Sequence, residues 1–352
     1  RWVKHLAVDN AGNLYLITRK GLGIRYAASG LWENEEYRTD IASDDCATAW
    51  GYANGLDVGN LLMWKYVADL DVDKITGAIY AVLTGNPEYP SVLIKSDAGE
   101  LTCWPQGAGP LDADFYSVDV SPDGVQVWVG TAMGASRYIE SAGWTSILSA
   151  QLRFSHINQV GFEQSSNGYD VVIMHSDYYG FLIRGTKISS MGTVNETDIV
   201  LNNTSHLYTE SEKGSLGISI IETFQPESSI PATQFRVLQV NGVDEVRLMS
   251  IEDSRLFKVN ENYSLSESGE NNLNQFVMDM AIDESGDYWL ATTSGLYSST
   301  TESNYRSLDG LPSSLISSVA IDQGGIVWIG TETGLSRFQG GQFDRLSESK
   351  VY

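Results

Sequence analysis

One pattern returns along this chain, and it limits the fold more than any other feature. Near the C-terminal end, Ala320-Ile321-Asp322-Gln323-Gly324-Gly325 runs into Ile326-Val327-Trp328-Ile329-Gly330-Thr331 and then Gly334-Leu335. The same order returns as Ala281-Ile282-Asp283, Gly286, Trp289, Thr292 and Gly295, and again as Ala7-Val8-Asp9, Gly12, Tyr15, Thr18 and Gly21. Ser121-Pro122-Asp123-Gly124, Trp128, Thr131 and Gly134 make a further copy. An aromatic residue precedes Thr by three positions each time, and Gly follows Thr by three. Repeats of this kind are read before anything else, because a missed repeat misassigns the whole fold.

Each position in the unit has a physical task. A short alternating strand ends at Asp-x-x-Gly, where glycine can take a positive φ. A second strand carries the aromatic, which packs between neighbouring sheets. Thr-x-x-Gly closes the next hairpin. A third strand such as Gly334-Leu335-Ser336-Arg337-Phe338 and an outer one such as Gln342-Phe343-Asp344-Arg345-Leu346 complete four antiparallel strands. That is one blade of a β-propeller. Inner strands are expected to begin near Val3, Trp64, Phe115, Ile157, Leu216, Phe276 and Ile316. The expected fold is therefore all-β: a single seven-bladed propeller of four-stranded antiparallel blades over residues 1–352, with six or eight blades as the alternative counts. The fifth copy, Leu216 to Leu265, lacks the turn signature and rests on alternation in Phe235-Arg236-Val237-Leu238-Gln239-Val240. An open β-solenoid fits less well, since it uses shorter repeats and capped ends.

Composition narrows the partners. Acidic residues number 45 against 22 basic ones, for a formal charge of −23. That field repels nucleic-acid phosphates and anionic membranes. No apolar run approaches the ~18 residues of a membrane span. The chain opens on Arg1-Trp2-Val3 and reads as a mature or excised portion of a longer protein, so further domains of a parent chain are expected. The cysteines are Cys46 and Cys103, and a disulfide between them is open.

Ligand candidates follow from position. In a propeller, the segments leading into the inner strands share one end with the turns between second and third strands. Where other blades carry Thr-x-x-Gly, the fourth carries His175-Ser176-Asp177-Tyr178-Tyr179-Gly180. His156 precedes the inner strand of the same blade. Arg19 of the first blade and Tyr89 of the second belong to the same end, and Trp50 and Tyr52 lie in the long connection between those blades. Aromatic faces flanked by hydrogen-bonding groups suit sugars or another small ligand. Packing of the same side chains against neighbouring loops is the plainer alternative. Asp69-Leu70-Asp71-Val72-Asp73 alternates three carboxylates, but Lys74 and Tyr80 occupy the Gly and Glu positions of an EF-hand loop. The run is expected to end an inner strand and turn at Thr76-Gly77, and no metal or cofactor is assigned. Gly-x-Ser-x-Gly, P-loop, His-Glu-x-x-His and Cys-x-x-Cys motifs are absent.

The run from Gly310-Leu311-Pro312-Ser313-Ser314 through Asp322-Gln323-Gly324-Gly325 and Trp328-Ile329-Gly330-Thr331 to Gly334-Leu335-Ser336-Arg337-Phe338 resembles the two-component regulator propeller repeat. The resemblance implies a seven-bladed propeller from the extracytoplasmic sensor region of a bacterial regulator, many of which respond to glycans. It also implies companion domains, namely a second propeller and an immunoglobulin-like domain. The expected function is non-catalytic ligand binding outside the cytoplasm, in the periplasm, at the cell surface or in the medium. One alternative is a polysaccharide lyase acting on uronate-containing glycans, with His175, Tyr179 and Arg19 as base, proton donor and carboxylate partner. The other is a protein-interaction scaffold of a surface or secretion system.

Overall fold

The computed structural model describes residues 2–18, 21–34, 67–85, 90–97, 100–110, 113–148, 159–165, 168–177, 179–188, 194–196, 232–240, 243–250, 256–259, 265–267, 275–283 and 287–346, with backbone alone from 161 to 267. Among them are seven four-stranded sheets, each antiparallel and each built from consecutive strands. Sheet 1 comprises β1 (Val3–Val8), β2 (Leu14–Thr18), β3 (Gly21–Arg25) and β4 (Trp32–Asn34). Sheet 2 comprises β5 (Val67–Val72), β6 (Ile79–Leu83), β7 (Val92–Asp97) and β8 (Glu100–Pro105). Sheet 3 holds β9 (Phe115–Val120), β10 (Gln126–Thr131), β11 (Gly134–Ile139) and β12 (Gly143–Leu148). Sheet 4 holds β13 (Gln159–Ser165), β14 (Gly168–Asp177), β15 (Tyr179–Ile188) and β16 (Val194–Glu196). Sheet 5 follows as β17 (Ala232–Val240), β18 (Val243–Ser250), β19 (Leu256–Val259) and β20 (Leu265–Glu267). Sheet 6 is β21 (Val277–Ile282), β22 (Tyr288–Thr292), β23 (Gly295–Ser298) and β24 (Ser303–Tyr305), and sheet 7 is β25 (Ile316–Ile321), β26 (Val327–Thr331), β27 (Gly334–Gln339) and β28 (Gln342–Leu346). The fold is an all-β propeller type.

Inner strands begin close to the expected positions in six sheets. In the fifth sheet the first described strand is Ala232–Val240, and the expected start near Leu216 lies outside the described residues. The alternating run Phe235 to Val240 lies within that strand. No Asp-x-x-Gly sequence follows it to mark its place; Val240 pairs with Val243.

The sheets group into two compact units, Arg1–Ala108 with Gln275–Tyr352, and Gly109–Asn274. In the first unit, β21 packs beside β25, β25 beside β1, and β1 beside β5. In the second, β9 packs beside β13 and β13 beside β17.

The turn carboxylates explain why the repeat keeps Asp. Asp9 Oδ1 accepts from the amides of Ala11 and Asn13 at 2.9 and 2.8 Å, and its Oδ2 accepts from Tyr15 Oη at 2.9 Å. Asp322 does the same for Gly324 and Ile326, while Trp328 Nε1 donates to its Oδ2 at 3.1 Å. One carboxylate therefore closes the hairpin and fixes the polar tip of the aromatic six residues on. Burial and the Asp9 carboxylate together push the Tyr15 phenol above its usual pKa. In sheet 3, Ser121 stands in the place of Asp, and Trp128 Nε1 donates instead to Gln126 Oε1.

The aromatics then form the joints between sheets. Trp328 packs with Val3, Leu14, Leu16 and Leu335, so the last sheet is sealed against the first. Arg25 lies 5.0 Å over its ring. At this joint Ser317 Oγ donates to the Val3 carbonyl, and Gln323 Nε2 donates to Asn10 Oδ1 at 3.2 Å. Trp289 forms the next joint with Tyr305 and Phe338, their ring centroids 6.1 and 5.0 Å from its own. Leu14, Leu16, Ile17 and Trp328 are fully buried. Each such side chain contributes roughly 1.5–3 kcal/mol from apolar burial.

Candidate functional site

In sheets 3, 6 and 7 the end where second and third strands meet has one construction. Thr131, Thr292 and Thr331 Oγ1 donate to the carbonyls of Gly134, Gly295 and Gly334 at 2.9, 2.7 and 2.8 Å. The same hydroxyls accept from the amides of Met133, Ser294 and Thr333. Those glycines have φ of 138, 147 and 151°, which a side chain would strain. The residue after Thr ties each turn to the segment that leads into the inner strand: Ala132 N donates to Asp114 O, Thr293 N to Phe276 O and Glu332 N to Leu315 O. Such turns satisfy their own polar groups and leave little for a ligand.

Sheet 4 departs from this plan. Its β14 and β15 are ten residues each, where the corresponding strands in sheets 1, 2, 3, 6 and 7 have four to six. Pairing continues through His175 opposite Phe181 and Ser176 opposite Gly180 to Asp177 opposite Tyr179. Among the described residues the first strand pairs from Gln159, opposite Met174, and three further positions of the hairpin run past that pair. His175 and Asp177 are two apart on one strand, and Tyr179 faces Asp177 across the ladder. The backbone register thus gives these three residues the same parity.

Of the other expected site residues, His156, Tyr178, Arg19, Trp50, Tyr52 and Tyr89 lie outside the described residues. The last of the alternating carboxylates is accounted for locally. Asp73 accepts from the Ile75 amide at 2.9 Å and the Thr76 hydroxyl at 2.5 Å, and Gly77 follows with φ of 78°. Among the described residues no group of three His, Cys, Asp or Glu side chains is disposed to hold a metal. Cys103, buried in β8, is disulfide-bonded, and the only other cysteine in the sequence is Cys46, which is outside the described residues.

Two features were not singled out from the sequence. Phe276 and Met278, where the chain enters β21, are 58% and 45% exposed. His5 of β1 lies with its Nδ1 4.0 Å from Asp69 Oδ1 of β5. Alignment of the inner strands on their bulges carries the signal for the second, since His5, Asp69, Ser117, Asp279 and Ser318 fall at one position. At that position Asp279 bridges two sheets, its Oδ2 accepting from Val319 N at 2.9 Å.

Residues 310–333, from the Gly310-Leu311-Pro312 segment through the Trp328 strand into the Thr331 turn, match the two component regulator propeller family. The chain carries a two component regulator propeller repeat. This propeller is similar in structure to the extracellular domain of the one component system BT4673 from B. thetaiotaomicron, at 15% identity and a TM-score of 0.55, over 96% of this chain and 38% of that one. It is similar to PorZ, a surface component of the type-IX secretion system of Porphyromonas gingivalis, at 16% identity and a TM-score of 0.59, over 95% of this chain and 46% of that one. A streptogramin B lyase shares the fold at 9% identity and a TM-score of 0.59, over 98% and 93% of the two chains. The propeller therefore spans less than half the length of the BT4673 and PorZ chains. No curated protein sequence matches it. No helix among the described residues is long and apolar enough to cross a membrane.

Proposed function

We propose that residues 1–352 form one seven-bladed recognition propeller, working outside the cytoplasm, that binds a carbohydrate or another small ligand at the end carrying the sheet 4 hairpin. The observation that carries this reading is the replacement of a self-satisfied Thr-x-x-Gly turn by a longer ladder bearing His175, Asp177 and Tyr179. A ladder extended by polar and aromatic residues is suited to contact with a ligand. His156, Tyr178, Arg19, Trp50, Tyr52 and Tyr89 complete the candidate set by position. The disulfide at Cys103 supports an oxidising compartment. The charge of −23 favours neutral glycans over uronate polymers. Similarity to an extracellular sensor domain and to a surface secretion component supports the same location, with further domains in a parent chain.

Thermal stabilisation across a panel of neutral and uronic oligosaccharides tests the reading. A neutral glycan is expected to raise Tm, and His175→Ala and Tyr179→Ala are expected to abolish the rise without lowering the Tm of the free protein. A panel with no binder leaves a protein-interaction scaffold. The second reading, a lyase, draws on the fold shared with streptogramin B lyase. Incubation with uronate polysaccharides, followed by ultraviolet absorbance of unsaturated products, distinguishes it. A rise that His175→Ala removes would replace binding by β-elimination.

A further inference from the structure

The first strands of sheets 1 and 2 meet through three ionisable side chains. Lys4 and His5 follow Val3 on β1, and Asp69 stands at the position of His5 on β5. Lys4 Nζ donates to the Val67 carbonyl across the joint. The same carbonyl accepts from the His5 ring. His5 Nε2 is buried and has no hydrogen-bond partner among the described residues. An imidazole so placed needs one N–H, and that one has its acceptor. A second proton would put a donor at Nε2, where no acceptor waits, and a charge beside the Lys4 ammonium.

We infer that the joint between sheets 1 and 2 is acid-sensitive, closed while His5 is neutral and released locally when His5 takes up a proton. The charged groups facing His5 decide the sign. Lys4 lies on its own strand and opposes a second cation. Among the described residues Asp69, 4.0 Å from Nδ1, is the nearest counter-charge, but its Oδ1 is engaged by the Leu70 amide at 2.9 Å and its field also acts on Lys4. Asp71 lies two residues further along β5. Among the described elements the others packed most against β1 are β2, β25 and β26, and these strands contain no Asp, Glu, Lys, Arg or His. Burial is the largest influence, the Lys4 charge the next, and together they hold the imidazole down to about 3.

Once the joint opens, His5 regains the ordinary imidazole value near 6.5. The open state therefore binds the proton more tightly than the closed one. Opening is favoured as pH falls through the window from 6.5 towards 3, by about tenfold per unit for one proton. Amide hydrogen exchange on Val3–Val8 and Val67–Val72, corrected for intrinsic rates, reads this directly. Between pH 6 and 4.5 the opening constant should rise about tenfold per unit in these strands and stay level in β21 and β25. His5→Asn should remove the slope. A histidine titration followed by nuclear magnetic resonance in the unaltered protein gives a check that needs no variant, with His5 remaining neutral at pH 4.5. An imidazole that titrates near 6.5 in the folded protein, or a slope that persists in His5→Asn, would overturn the inference.

Discussion

At Gly330 a hydrogen stands where any other residue carries Cβ. That carbon would lie 2.3 Å from Ser318 Oγ and 2.8 Å from Val3 Cγ1. Gly330→Val is expected to destabilise by about 1–3 kcal/mol through overpacking, read as a lowered denaturant midpoint. The neighbouring Trp328 joins two tasks, filling the joint against Val3, Leu14 and Leu16 and donating to Asp322. Trp328→Phe should keep most of the packing but leave the Asp322 Oδ2 without its indole donor, at a cost of about 1–3 kcal/mol. Asp322, Trp328 and Thr331 were legible in the sequence because each belongs to a repeated spacing within one sheet. The meeting of Gly330 with Val3 was not, because it joins opposite ends of the sequence and leaves no local pattern. His5 was visible only as one of four histidines; its partner across the joint emerges from strand register.

The Thr-x-x-Gly turn is the element in which sequence and structure agree most closely. Its threonine hydroxyl is both donor and acceptor within the turn, which serine can copy and valine cannot. Thr331→Val is expected to destabilise by about 1–2 kcal/mol, while Thr331→Ser should keep most of that stability. Paired thermal denaturation of the two variants separates the hydroxyl from the lost methyl. The sheet 4 hairpin was also legible, since a missing Thr and Gly in a regular series marks a different turn. Its length was not, because ladder pairing depends on partner strands that the local residues do not name. Sheet 5 was the least legible element. Without an Asp-x-x-Gly signal, the alternation of Phe235 to Val240 identifies a strand but not which of the four it is.

At the scale of the molecule, repeat spacing was enough for the fold class, whereas the grouping of sheets into two units leaves no mark in composition. The disulfide at Cys103 was an open alternative in the sequence, because two cysteines far apart reveal nothing of their separation in space. Reduction, or Cys103→Ser, is expected to lower stability by about 2–5 kcal/mol, seen as a Tm that falls on adding dithiothreitol to the unaltered protein and not to the variant. Each sheet draws all four strands from one continuous stretch of chain. A gene encoding such a chain can lengthen, shorten or rewrite one stretch while every strand elsewhere keeps its partners. Evolution can therefore test a new recognition hairpin in one sheet as a local experiment, and the variation between descendants should collect in turns like that of sheet 4, with the Asp, aromatic and Thr positions of its neighbours held constant.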